Sequence, residues 1–124
     1  RLTLTTVADF GKSPKKFPFA CSISSFEHDG LGRYGDPINP DGDLEAMQNV
    51  RENILKKGGI LFLAVPCGID KTVFNAHRIY GNRLTKLIEG FELLDYFPKN
   101  LNQILQTDTG KDALYQPILV LKNK

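Results

Sequence analysis

Ile60-Leu61-Phe62-Leu63-Ala64-Val65 decides the fold: six apolar residues in a row, closed by Pro66. A run of this length between a Gly58-Gly59 pair and a proline reads as a strand. Just upstream, Leu44, Met47, Ile54 and Leu55 fall on one helical stripe, with Val50 at its margin. That stripe predicts a helix from about Asp43 to Lys56. Asp41 or Asp43 can cap its start, Lys56 and Lys57 suit the negative end of its dipole, and Gly58 supplies a left-handed stop. A short helix feeding an all-apolar strand is the second half of a βαβ unit, so a first, parallel strand is expected upstream.

Phe17 to Phe26 meets that need. It is apolar or small throughout and carries no charge, as a strand covered on both faces would be. The two strands are expected to be adjacent, parallel and central. Between them, Gly30 to Gly42 is a loop with four glycines and two prolines. Further upstream, Leu2 to Val7 alternates Leu and Thr and predicts a short strand, broken by Asp9, Phe10, Gly11 and Pro14. Downstream, Cys67 to Gly81 is an irregular excursion. Leu84, Leu87 and Ile88 mark a short helix ended by Gly90. Phe91 to Phe97 and Gln116 to Leu121 are strands, with Pro117 near the start of the second or on an edge. Pro98 to Leu114 is polar and shows no periodicity. No clear helical crossover joins the last two strands, so they pair antiparallel. The fold class is α/β: a largely parallel sheet with an antiparallel C-terminal strand pair.

The bulk numbers agree with one such domain over 124 residues, since 41% hydrophobic and 24% charged residues describe an ordered globular chain. A net charge of +2 gives no reason to expect nucleic acid or an anionic membrane as partner. Lys12, Lys15 and Lys16 form a solvated turn. No run is long enough to span a membrane. Cys21 and Cys67 lack metal or redox spacing and lie in or beside apolar runs. They read as buried free thiols, which favours a reducing compartment such as the cytoplasm. No signal peptide is visible. The chain starts at Arg1 rather than Met, and reads as a piece of a longer one.

Two polar clusters carry the candidate chemistry. Glu27, His28 and Asp29 follow the first strand, where open α/β sheets place ligands. A histidine beside a carboxylate can move protons near neutral pH. The competing reading is a histidine that ties the strand end to the loop. Asn75, His77 and Arg78 lie in the excursion after the second strand. His28 or His77 would be the acid/base group, Arg78 the anchor for an anion, and Asn75 an orienting group. The alternative for this cluster is a solvated loop, or a salt bridge to the acidic residues at Glu27. Parallel strands end on the same side of a sheet, so both clusters should face one crevice. Glu27 or His28 should then lie within about 10 Å of His77 or Arg78, a span one small ligand can bridge. Gly30-Leu31-Gly32-Arg33-Tyr34-Gly35 matches a dinucleotide fingerprint in letters, but no helix follows it. It reads instead as a mobile or ligand-covering loop that needs positive φ angles. Cys21, Cys67, His28 and His77 carry no metal-site spacing, and Ser24 and Ser25 lack a nucleophile elbow.

Val7-Ala8-Asp9-Phe10, followed by Phe17-Pro18-Phe19-Ala20-Cys21-Ser22-Ile23-Ser24-Ser25-Phe26-Glu27-His28, resembles the middle of class I S-adenosylmethionine methyltransferases. In those, an acidic residue after one strand precedes an Asp-rich strand ending in Glu-His. Lys57 to Pro66 resembles their next turn and strand. Ser24 to Met47, Val73 to Gly81 and Gln116-Pro117-Ile118 more closely resemble the family called domain of unknown function 268, a likeness covering nearly the whole chain. The methyltransferase likeness implies a Rossmann-like fold of which this chain is the C-terminal half, the N-terminal nucleotide-binding half being absent. The glycine-rich first loop and the acidic residue that hold the cofactor have no counterpart here, and Phe17-Pro18-Phe19 lacks the usual aspartate. By the same likeness, Asp9 and Phe10 would flank the adenine of S-adenosylmethionine, and Ser24, Ser25 and Phe26 would line its far side. The implied function is a methyltransferase-like protein of open substrate. The alternative is a noncatalytic α/β module that binds a small ligand or a protein partner.

Overall fold

The computed structural model describes residues 2–124. In chain order the elements are α1 (Val7–Lys12), β1 (Phe17–Ile23), a 3-10 turn (Phe26–His28), α2 (Gly42–Asn49) with a π-helical continuation (Val50–Ile54), and β2 (Leu55–Ala64). Then come β3 (Lys71–Val73), β4 (His77–Ile79), α3 (Arg83–Leu87), β5 (Phe91–Phe97), α4 (Leu101–Leu105) and β6 (Ile118–Asn123). Four strands form one sheet in the order β1-β2-β6-β5, and β3 and β4 make a separate hairpin.

β1 and β2 are adjacent and parallel, with Ala20 opposite Leu61 and Ile23 opposite Ala64. Joining them in parallel requires a crossover, which α2 supplies. β6 runs antiparallel to both β2 and β5. One of the three ladders is therefore parallel, and the expectation of a largely parallel sheet is corrected: the sheet is mixed. The chain reverses after β5, and its apolar Ile118–Leu121 run inserts between β2 and β5 rather than adding at an edge. β1, β2 and β5 consequently share one direction and β6 opposes them. Pro117 sits just ahead of β6, where its missing N–H disturbs no ladder.

On one face of the sheet Leu61, Leu63, Leu119 and Leu121 are buried against Met47, Val50, Leu84, Leu87, Leu101 and Ile104 from the helices. Each of these large side chains contributes about 1.5–3 kcal/mol by leaving water. Among the described residues no helix covers the other face, where Phe19, Phe62 and Phe97 are exposed. β1 is also an edge strand with mostly exposed side chains. The expectation that it is central and covered on both faces is therefore corrected, and of the parallel pair only β2 is interior.

Three further expectations change. Leu2 to Val7 is not a strand. Thr6 caps α1 by accepting the Asp9 N–H at 3.0 Å, and Leu2, Leu4 and Val7 remain exposed. An alternating strand needs a neighbour, and no strand pairs there. The helical run, including its π-helical continuation, ends at Ile54 rather than Lys56, because Leu55 already pairs with Phe17. The register then jumps to Phe19 opposite Ile60, so Lys56 to Gly59 bulge out of the ladder. The positive φ of Gly58, 77°, serves that bulge rather than a helix stop. Neither Asp41 nor Asp43 caps α2: the side chain of Asp41 makes no cap bond, and Asp43 lies inside the helix.

Candidate functional site

Past the end of β1 the chain turns sharply. Ser24 adopts φ 52°, rare for a residue with a side chain, while its N–H still extends the ladder to the Ala64 carbonyl. The following 3-10 turn carries Glu27 inward until it is 1% exposed. Glu27 Oε1 accepts the Ser24 hydroxyl at 2.7 Å, and Gln116 donates to the same hydroxyl oxygen at 3.3 Å. Among the described residues, Glu27 Oε2 has no hydrogen-bond partner. Such an oxygen, buried and unmatched, readily accepts a donor.

His28 stands beside it. Its Nδ1 lies 2.6 Å from the Ala76 carbonyl oxygen, which can only accept, so Nδ1 carries the hydrogen. Nε2 then faces Glu27 Oε1 at 3.6 Å. The His77 ring meets His28 edge-on with centroids 6.4 Å apart. His77 Nε2 is 2.9 Å from the Lys111 carbonyl, which fixes that hydrogen and leaves Nδ1 unassigned. The Tyr34 ring closes the other side of His28 at 5.6 Å. Glu27, His28 and His77 therefore come together from separate segments, inside the expected span.

Arg78 and Asn75 do something else. Arg78 is 2% exposed and points the other way. Its guanidinium donates to the carbonyls of Asp29 (2.6 Å), Asn39 and Pro40 (3.3 Å each), and its Nε lies 3.7 Å from Asp43. The expectation of Arg78 as an anchor for an external anion is corrected: its donors face internal acceptors. The acid it approaches is Asp43, not Glu27. Asn75 is exposed at the hairpin tip with φ 55°, in a turn closed by the Ala76 N–H to the Val73 carbonyl. Asparagine tolerates that conformation, so the turn by itself accounts for the residue.

The Gly30 to Gly42 loop is pinned. Asp36 accepts from the N–H of Gly30 at 2.7 Å, with longer bonds from Gly32 and Tyr34. Burial opposes ionisation of Asp36, yet those N–H groups hold its carboxyl below the ordinary range. Neighbouring Asp29 is raised, by burial first and by Asp36 second. At the neck, a Cβ on Gly30 would lie 2.1 Å from the Asn39 carbonyl oxygen. Gly30, Gly32 and Gly35 all have positive φ. The loop form is as expected, but its mobility is not what the bonding describes.

Asp43 is the residue that reading the sequence misses. It is fully buried, accepts the Tyr80 hydroxyl at 2.9 Å and receives two bonds from Arg83 at 2.7 and 3.0 Å. Burial, then Asp43, pushes the Tyr80 hydroxyl well above its usual range, and the Asp43 bond raises Arg83. The available signal is its place four residues before Met47, on the buried side of α2.

The residues assigned to an adenine by resemblance are divided. Asp9 is exposed and bonded to Thr6 and Lys12. Phe10 stacks on Phe17 at 6.2 Å, walling a cavity of about 670 Å³ with Thr6, Asn53 and Ile54. Ser24, Ser25 and Phe26 follow the opposite end of β1, roughly 20 Å away at about 3.3 Å per strand residue. One adenine cannot touch both sets, so the residues present do not form the expected cofactor site. A smaller recess of about 270 Å³, lined by Leu31, Ile38, Phe74 and Arg78, adjoins the glycine loop. Cys67 is buried but Cys21 is exposed on β1, correcting the expectation of two buried thiols. Among the described residues no three metal-ligating side chains gather, and no helix is long and apolar enough to cross a membrane.

These features define a mixed α/β protein with a histidine–carboxylate cluster beyond its parallel strand ends. The chain belongs to the family described as Caenorhabditis protein of unknown function, DUF268, whose pattern matches residues 2–122. No curated protein and no solved structure matches it.

Proposed function

We propose that this chain is the acid/base side of a methyltransferase-like domain that acts on a small molecule. The carrying observation is the meeting of Glu27, His28 and His77 beyond the carboxyl ends of β1 and β2. The shared direction of β1, β2 and β5, with only β6 reversed, agrees with that reading. His28 Nε2 is the nitrogen left to work, because Nδ1 is held by Ala76. A proton taken there from a ligand hydroxyl or amine gives an imidazolium, with the Glu27 carboxyl oxygen 3.6 Å away. S-adenosylmethionine, when bound to such a domain, supplies an electrophilic methyl group. The residues of this chain do not form its adenine site, and no step is assigned through it.

A noncatalytic module that binds a small ligand or a protein is the second reading. It is favoured by Arg78, whose donors are all directed inward. Titrating the isotope-labelled chain with S-adenosylmethionine separates the two. Weak, fast-exchanging shifts at residues 24–28 and 75–77, lost in His28→Ala, support the first. Shifts confined to Phe10 and Phe17 favour the second.

A further inference from the structure

The helix-free face of the sheet is apolar in ordered rows. Strand register places Ile23, Ala64, Ile118 and Phe97 side by side across all four strands. The next row is Cys21, Phe62, Val120 and Asp95, and the third is Phe19, Ile60, Lys122 and Glu92. Charges thus occupy only the β5–β6 corner. Phe19 is 63%, Phe97 69% and Phe62 42% exposed, with Ile23 and Ile118 also open. A phenylalanine offers about 200 Å², so these side chains together leave roughly 600 Å² of apolar surface facing water. That is at the upper end of what the largest exposed patch of a solitary domain carries, about 300–600 Å², and it reaches the lower bound of about 600 Å² per partner for a stable interface.

We propose that this face is the interface of a symmetric dimer, two copies packing sheet on sheet. Flat, alternating strand faces pack this way about 10 Å apart, their inner side chains interdigitating. Lys122, Glu92 and Asp95 then lie toward the rim, where charge is tolerated. The occupant is a second copy because the area suffices for a dimer and the charged corner limits how far the contact can extend. Cys21, in the middle row, becomes covered on pairing. Cys67 does not confuse that readout: it is 1% exposed, and burial pushes its thiol up to about 12.

Sedimentation of the whole chain, with the thiol reactivity of Cys21 followed over a concentration series, is the test. The expected species has twice the 13.9 kDa mass of one chain, and Cys21 reactivity should fall at least about tenfold as it forms. Phe62→Lys and Ile23→Lys should each sediment as monomers with Cys21 reactive throughout and an unchanged circular dichroism spectrum. A wild-type chain that stays monomeric overturns the proposal. So does a dimer whose Cys21 remains reactive, or one that survives both substitutions. Polydisperse association would also overturn it, because a two-fold symmetric interface closes at two copies.

Discussion

Arg78 shows how a single charged residue changes meaning once its surroundings are known. Its residue type and loop position suggest an anion anchor, yet it joins the Asp29, Asn39 and Pro40 carbonyls to Asp43 while almost fully buried. Removing one partner of a buried charged pair leaves the other uncompensated. Arg78→Ala should therefore lower stability by about 3–5 kcal/mol, read by urea denaturation. Arg78→Lys should recover little, because an ammonium cannot reach acceptors spread across a fork. A loss under about 1 kcal/mol would remove this structural role. Asp36 gives a pH-dependent counterpart. Its folded carboxyl titrates below its ordinary value, so its contribution is present above about pH 4 and disappears as pH falls through the lower folded value. Asp36→Ala should melt below the wild type at pH 7, and the two melting temperatures should converge in acid. The histidines were legible as a pair of candidates from their places after strands. Which nitrogen each presents was not, because that depends on the carbonyls of Ala76 and Lys111, distant in sequence.

At the scale of elements, the Gly30 to Gly42 segment behaves as a closed loop with a tight neck. The Asn39 N–H bonds the Gly30 carbonyl at 2.8 Å, and a Cβ on Gly42 would sit 2.9 Å from the Gly30 Cα. Gly30→Ala must both strain a positive φ and displace the Asn39 carbonyl. Its expected cost is about 1–3 kcal/mol, with faster amide exchange in residues 30–42 while β2 and β6 stay protected. Equal acceleration throughout would mean that the loop and the sheet unfold as one unit. The strands at Ile60–Val65 and Phe91–Phe97 were readable because their residues are apolar or alternate without a competing helical period. The end of α2 was not. Its apolar stripe continues through Leu55, and only the pairing of Leu55 with Phe17 stops the helix there. α4 was hidden in a polar stretch, since only Leu101 and Ile104 are buried, with Leu105 packed beside them against the core.

For the whole molecule, one sheet face is packed by helices and the other, among the described residues, by none. Association through that face makes melting depend on concentration: a tenfold increase in protein should raise the midpoint measurably, while Phe62→Lys should show no such dependence. The sequence by itself determined that this is an α/β chain, that β1 and β2 are parallel through a helical crossover, and that polar residues stand where β1 ends. Those features follow from local periodicity, glycine and proline positions, and the geometry of short connections, all encoded in neighbouring residues. Only the tertiary structure decided that β6 enters between β2 and β5, that β1 forms an edge, that Arg78 points inward, and that Phe10 and Ser24 cannot share a ligand. Each of these depends on which distant segment arrives beside which. Burial and strand pairing are contests among all the apolar surfaces of the chain, and a local pattern cannot report their outcome.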